Sequence, residues 1–310
     1  MLNIIQMLEE SLLSERPLVS LHKKKGEEIY LHPSSAMCYS YDNKPIGACL
    51  KQAWLYHKDA AVSNKIDSYG IFVASSGNIW EDWLISHYKN MGIYLANNVK
   101  LVNNDLKVSC EIDILHTNPE NNTREVTECK TYTGSNYYAA KELLGYKDQN
   151  PKPKDSHLLQ CVKYLMILDE YDIHVVNLVY IDRSCSSFFN NKQFKIYLIG
   201  KEIYYDTFYQ GALRTIHVNT FNTDSLIEKD DALLKLLDLN YVPDPDYKIS
   251  YTLQDVEEKF KAGLISKTAY SKVEKDQVQP SDMSDWQCRY CKYGKNRDTG
   301  FSTCIETQNV

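Results

Sequence analysis

The feature that most constrains the fold is a pair of alternating segments separated by a short polar turn. In VSCEIDIL (108–115) and REVTECKTY (124–132) the side chains alternate, and Pro and Asn residues mark the turn at 117–122. Because successive side chains of a strand point to opposite faces, this pattern predicts two half-buried strands paired as a hairpin. Two further runs, 173–181 and 193–199, are β-branched or alternating and predict two more strands.

Helical periodicity occupies much of the remaining chain. The helices that it predicts are 2–13, 47–60, 77–91, 137–146, 156–169, 202–219 and 252–274. Helices and strands in this order predict a mixed α/β fold, in which a central sheet is flanked by helices. We divide the chain into an N-terminal extension (1–44), a core (45–220) and a C-terminal helical segment with a cysteine-rich tail (221–310).

Composition excludes several classes of protein. The 310 residues, 43% of them hydrophobic, suit one large domain or two ordinary ones. With 35 Lys and Arg against 41 Asp and Glu, the net charge of -6 argues against a protein coated in basic charge, such as a histone. No long apolar run and no secretory signal occur, so we expect no membrane span and a cytoplasmic location. In that reducing compartment the nine cysteines favour metal or catalytic roles over disulfides.

Three charged residues of the predicted hairpin suggest a metal site. Asp113 lies on the strand face opposite the apolar side chains, and Glu128 and Lys130 share one face of the second strand. Two carboxylates and the backbone carbonyl of Cys129 are hard oxygen ligands for Mg²⁺ or Mn²⁺. A neighbouring lysine can orient a water and stabilise charge on a phosphate. The alternative is a solvated pair of opposite charges, which is common on strands.

Two helical motifs extend this constellation. Glu81 is a candidate third acid near the metal, although Asn78 followed by Glu81 also fits a capping box at a helix start. Gln160 and Tyr164 share one face of the helix predicted over 156–169. They would contact DNA or form the rim of the site, or else form a polar stripe on a core helix.

In this order, the motifs resemble the PD-(D/E)XK nuclease superfamily, and within it the RecB-type branch that includes the CRISPR-associated RecB-like exonucleases. The family pattern falls on Gly77/Glu81, Cys110/Asp113, Glu128/Lys130 and Gln160/Tyr164. The resemblance implies a restriction-endonuclease-like core and metal-dependent DNA hydrolysis, exonucleolytic on single strands or DNA ends. Two departures are Trp80, where family members often have a metal-binding His, and Cys110, where they have Gly. Trp80 favours the alternative of a weakly catalytic or non-catalytic DNA-end-binding subunit of a recombination, repair or spacer-acquisition complex.

The resemblance also implies a role for each site residue. Asp113 and Glu128 would hold Mg²⁺ or Mn²⁺ together with the Cys129 carbonyl, and Lys130 would position the attacking water. Glu81 would support the metal shell directly or through water. The remaining motif residues, Gln160 and Tyr164, would bind on the substrate side.

The cysteines predict a second metal site. Cys288 and Cys291 form a C-x-x-C and Cys304 follows in the same tail, and two thiolates so spaced can bind one metal. In the iron–sulfur members of the RecB-type branch a fourth ligand precedes the nuclease core, and the resemblance assigns this position to Cys49, with Cys38 as a rival. It implies a structural 4Fe-4S cluster. A zinc ion on the same four cysteines, which would make the tail a partner module on another kind of enzyme, and an unliganded C-x-x-C are the alternatives.

Basic and aromatic residues supply candidate contacts to DNA. They are Lys23, Lys24, Lys25, Lys141, Lys147, Lys152, Lys154, Lys163, Arg289, Tyr290, Lys292, Tyr293, Lys295 and Arg297. Cations bind phosphates and aromatic rings stack on unpaired bases, so the cluster predicts a groove for a single strand. For any one lysine, a solvated surface position is the alternative. No helix-turn-helix or zinc-finger signature occurs, so we do not expect sequence-specific readout.

Overall fold

The computed structural model describes residues 28–64, 68–133, 137–145, 149–185, 187, 190–296 and 299–307. Contacts divide the chain into two compact units, the first within residues 1–47 and 67–232 and the second within 48–66 and 233–310. This division differs from the predicted segments because residues 48–66 group with the C-terminal part of the chain. The predicted helix 2–13 and the cluster Lys23–Lys25 lie outside the described residues.

A seven-stranded mixed sheet forms the centre of the first unit. Two short strands, β1 (Met37–Tyr39) and β2 (Pro45–Gly47), pair separately. The strands of the large sheet, in spatial order, are β3 (Tyr94–Asn103), β4 (Val108–Thr117), β5 (Arg124–Tyr132), β6 (Val176–Asp182), β7 (Lys192–Ile199), β8 (Glu202–Tyr209) and β9 (Ala212–His217). Strands β5 and β6 run parallel, and the other neighbours in this order are antiparallel. The predicted hairpin is confirmed, since β4 and β5 pair from Ile114↔Thr127 to Thr117↔Arg124.

Helices of the first unit cover both faces of this sheet. The described helices are α1 (Leu50–His57), α2 (Ser68–Asn90), α3 (Tyr137–Leu144), α4 (Asp155–Leu168), α5 (Thr223–Asp238), α6 (Leu253–Lys261), α7 (Lys267–Glu274), α8 (Trp286–Arg289) and α9 (Thr303–Glu306). Leu84 of α2 packs against Ile114, with Cys129 beside it. Gln160 of α4 instead reaches Glu128, the strand neighbour of Cys129. Adjacent strand residues point to opposite faces, so α2 and α4 lie on opposite sides of the sheet. The predicted mixed α/β class with a flanked central sheet is confirmed.

The helix predicted over 202–219 is wrong, because this segment forms the hairpin of β8 and β9. The turn is made by Gln210 and Gly211, both with positive φ (51° and 76°), which is the geometry of a tight hairpin turn. The inward residues of β8 alternate, with Ile203, Tyr205 and Thr207 all at most 4% exposed. The β-branched and aromatic alternation of this segment therefore outweighs its helical period.

Two helix boundaries also differ from those predicted. Helix α2 begins at Ser68 rather than near Gly77, so Asn78 lies in the middle of the helix and cannot cap it. The capping-box alternative for Glu81 is therefore wrong. The helix predicted over 252–274 is two helices, α6 and α7, separated where Gly263 adopts a φ of 71°. None of the described helices is long and apolar enough to cross a membrane.

The second unit joins the segment around α1 to the C-terminal tail. The Nδ2 of Asn64 donates to the backbone oxygens of Cys291 and Gly294 at 3.0 and 3.1 Å. The Oγ1 of Thr303 donates to the Ala61 carbonyl at 2.6 Å. A separate core forms where α6 packs against α7, with Val256 of α6 and Val273 of α7 among its buried residues. Hydrogen bonds from polar side chains to backbone oxygens thus hold together two segments that are more than two hundred residues apart in sequence.

Candidate active site and cysteine pocket

Asp113 is fixed at the point where β4 and β5 separate. The paired register ends at Ile114 and Thr127, and beyond it the Oδ2 of Asp113 accepts a hydrogen bond from the Cys129 backbone N–H at 2.8 Å. A carboxylate thus replaces the backbone acceptor that a continuing ladder would supply. This brings Asp113 beside the E-x-K segment, as the sequence predicts.

Glu128 is the most buried acid of the site, with 2% of its surface exposed. Its Oε1 accepts hydrogen bonds from Lys130 Nζ at 2.5 Å and from Gln160 Nε2 at 2.7 Å. Its Oε2 is buried and has no hydrogen-bond partner among the described residues. A buried carboxylate oxygen without a partner is costly, and a bound cation would satisfy it.

Helix α4 holds this carboxylate through the Q-x-x-x-Y motif. Gln160 Nε2 also donates to the Tyr164 hydroxyl at 2.8 Å, and that hydroxyl donates to the Glu111 backbone oxygen at 3.2 Å. Gln160 and Tyr164 are 6% and 1% exposed. Their contacts position Glu128. The direct substrate contact expected from the sequence stays a prediction, which the burial of both side chains does not support.

The electrostatics of the site are those of crowded acids. Burial, and then the charge of Glu128, hold the pKa of Asp113 well above its usual range. Burial also raises the pKa of Glu81, and the nearby charges of Asp82 and Glu128 raise it further. Burial lowers the pKa of Lys130, but the charge and hydrogen bond of Glu128 outweigh it and raise that pKa. Glu81 is thus close enough to Asp113 and Glu128 to interact with them electrostatically. A divalent cation would reduce the repulsion among the three carboxylates.

His32 is a site neighbour that the sequence did not indicate. It directly precedes a 3-10 turn (Pro33–Ser35) that packs on α4. Burial lowers the pKa of His32, and the charge of Glu128 is the next largest influence on it. Nearly a hundred residues separate His32 from Glu128, and no local motif marks it, so only the fold brings the two together.

Two residues predicted to contact DNA are buried. Lys163 is 2% exposed and forms an ion pair with Asp230 at 2.8 Å, and Tyr293 is also 2% exposed. Their predicted roles in binding phosphate and stacking on bases are wrong, because neither side chain reaches the surface. Tyr290, by contrast, is 76% exposed. Among the other candidates, Lys147 and Arg297 lie outside the described residues.

Four cysteines line one pocket of the second unit. Cys49 directly precedes α1, Cys288 lies in α8, Cys291 follows it and Cys304 lies in α9, and all four border the same pocket. Cys38 belongs to β1 of the first unit and is not among the residues that line this pocket. The structure therefore brings together the four cysteines that the resemblance selects.

The chemistry of this pocket suits a soft metal. Burial raises the pKa of Cys288, and the charges of Cys49, Cys291 and Cys304 raise it further. Four thiolates therefore cannot share the pocket without a cation, and thiolates are the ligands of zinc and of iron–sulfur clusters. Within the part of the chain that the structure describes, no group of three or more His, Cys, Asp or Glu is already arranged to hold a metal ion. The donors share a pocket but do not form a closed cage.

No family model, no curated protein and no solved structure matches this chain.

Proposed function

We propose that this chain is a metal-dependent deoxyribonuclease with a PD-(D/E)XK core of the RecB type, acting on single-stranded DNA or DNA ends. The observation that carries the proposal is the buried carboxylate of Glu128, whose Oε1 bonds to Lys130 while its Oε2 has no partner among the described residues. Asp113 is held beside this segment by the Cys129 N–H. A solvated pair of opposite charges on a strand has neither this burial nor a second carboxylate beside it.

Asp113 and Glu128, with the backbone carbonyl of Cys129, are the residues that would hold Mg²⁺ or Mn²⁺. When bound, such an ion activates a water and polarises the phosphate that is attacked. Lys130 orients the attacking water and stabilises the negative charge that develops on the phosphate oxygens. Gln160 fixes the direction of the Glu128 carboxylate.

Glu81 of α2 is the third acid of the proposed set. Its pKa responds to Glu128, and the pKa of Asp113 responds to Glu81, so the three acids form one electrostatic group. The role of Glu81 is to support the metal shell directly or through water.

A four-cysteine centre is the second part of the proposal. Cys49, Cys288, Cys291 and Cys304 are the residues that would hold a structural 4Fe-4S cluster, with zinc as the alternative occupant. Such a centre would join the α1 segment to the C-terminal tail, because its four ligands come from both parts of the second unit.

A second candidate function keeps the fold but removes the catalysis. Trp80 occupies the position where the family often has a metal-binding His, and its ring packs edge to face on Trp83 at 5.9 Å. A site with one ligand fewer would bind DNA ends as a subunit of a recombination or adaptation complex in the cytoplasm.

Degradation of a labelled single strand tests the catalytic proposal. Wild-type protein, Lys130→Ala and Lys195→Ala are incubated with the strand and Mn²⁺. Lys195 is a matched control because it pairs with buried Glu125 at 2.9 Å, as Lys130 pairs with Glu128. We expect cleavage by wild type and by Lys195→Ala and a large loss with Lys130→Ala. Equal cleavage by all three proteins, or none by wild type, would contradict the catalytic role.

A further inference from the structure

Lys51 is a buried cation without a hydrogen-bond partner. It is 0% exposed, and its Nζ makes no hydrogen bond to any described residue. A lysine is almost never fully buried unless a charge or polar group compensates it. The position therefore calls for a negative charge that the described side chains do not supply.

The placement of Lys51 points to the cysteine pocket. It lies in the first turn of α1, two residues after Cys49. Helix α9, which carries Cys304, packs against α1, which carries Lys51. The buried ammonium and the cysteines thus lie on elements of the second unit that pack together.

Thiolate chemistry supplies the missing negative charge. A zinc ion with four thiolates, or a 4Fe-4S cluster in its oxidised resting state with four thiolates, carries a net charge of about minus two. Cys49 is the N-cap residue of α1, and the backbone N–H groups at the start of a helix favour a negative charge.

We propose that Lys51 is the buried counter-charge of an anionic four-thiolate centre on Cys49, Cys288, Cys291 and Cys304. The inference rests on the proposed four-cysteine centre and adds a positioning residue to it. Lys51 is not a metal ligand. It compensates part of the negative charge that remains after the metal is bound.

The charge gives Lys51 opposite effects in the loaded and in the metal-free protein. With the centre present, loss of the ammonium leaves excess negative charge buried and weakens metal binding. Without the centre, the same loss removes an uncompensated buried cation and so stabilises the metal-free protein. A purely structural lysine would instead stabilise both forms.

Three variants of the full chain separate these cases. Lys51→Met keeps the length and removes the charge, Lys51→Arg keeps the charge, and Lys261→Met removes an exposed lysine of the same unit as a control. Iron, zinc and sulfide contents and the absorbance spectrum are measured after anaerobic purification. Release of the metal to a chelator and thermal unfolding of the metal-free protein complete the measurements.

We expect Lys51→Met to release its metal about tenfold faster or more, whereas Lys51→Arg and Lys261→Met behave as wild type. Where iron is bound, the reduction potential of Lys51→Met shifts to more negative values. Metal-free Lys51→Met unfolds at the same temperature as metal-free wild type or at a higher one.

If the wild-type protein binds metal and Lys51→Met releases it at the same rate, the role of Lys51 is overturned and the four-cysteine centre stands. A lower unfolding temperature of Lys51→Met in both forms would also overturn the role of Lys51, because that is the result of a structural contact. Wild-type protein that holds neither iron nor zinc would remove both the four-cysteine centre and the counter-charge.

Discussion

Replacement of Gln160 by leucine tests how the metal site is assembled. Gln160 Nε2 donates to Glu128 Oε1 at 2.7 Å and to the Tyr164 hydroxyl at 2.8 Å. Leucine has a similar size and fits a helix, so Gln160→Leu removes both hydrogen bonds with little change in packing. Glu128 then keeps Lys130 as its donor and loses the contact that sets the direction of its carboxylate.

The expected decrease in the free energy of unfolding follows from the loss of these two hydrogen bonds. A hydrogen bond to a charged group contributes about 1.5–3 kcal/mol and a neutral one about 0.5–1.5 kcal/mol. The Tyr164 hydroxyl keeps its bond to the Glu111 carbonyl, so part of the second contribution remains. We therefore expect the free energy of unfolding of the metal-free protein to fall by about 2–4 kcal/mol. Because Gln160 orients a proposed metal ligand, the affinity for Mn²⁺ should fall about 10–100-fold.

Denaturant unfolding and calorimetric titration with Mn²⁺ measure the two effects. Gln193→Leu is the control, since Gln193 Nε2 donates to Asn177 Oδ1 at 2.7 Å on the same sheet, away from the hairpin acids. The control should lose about 1 kcal/mol and keep its Mn²⁺ affinity. Unchanged Mn²⁺ affinity in Gln160→Leu would refute the role of α4 in holding the metal ligand.

Three further perturbations have definite expected outcomes. Because the pKa of Asp113 is raised above 3.8 in the folded protein, stability without metal falls as the pH rises from the unfolded pKa through the folded one. The fall is about 1.4 kcal/mol per unit of pKa difference. Asp113→Asn should remove this pH dependence in denaturant unfolding, and an unchanged slope would contradict it. Asp230→Leu leaves Lys163 buried without its partner, so unfolding should become easier by about 3–5 kcal/mol. The double variant with Lys163→Met should recover most of that loss, and no recovery would count against a pairing defect. Gly294→Ala places a Cβ 2.4 Å from the Cys288 backbone oxygen, so metal content should fall, and wild-type content would show that the loop can shift.

The hairpin that carries the site was predictable because its signal is local. Alternation in 108–115 and 124–132 fixes which side chains share a face, and the polar turn between the segments fixes their antiparallel pairing. The sequence therefore predicts both that Asp113 and Glu128 are site residues and that they lie close together. The burial of Glu128 does not follow, because it depends on the packing of α4.

The errors arise where tertiary contacts outweigh local pattern. Lys163 follows a helical period that also suits an exposed lysine, and only Asp230, 67 residues later, makes its burial possible. The segment 202–219 has apolar residues that fit a helical spacing, yet pairing of β8 with β7 selects the strand. Lys51 lies two residues after Cys49 in the sequence, but its burial depends on the packing of the tail helix α9 against α1.

The central claim is that Asp113 and Glu128 bind a divalent cation at the separation of β4 and β5. Anomalous diffraction from crystals grown with Mn²⁺ measures this directly. The account predicts one strong manganese peak next to Glu128 Oε2 and the Asp113 carboxylate, which is absent in crystals of Glu128→Gln. A site without manganese in the wild-type crystals, with Lys130 still bonded to Glu128, would contradict it.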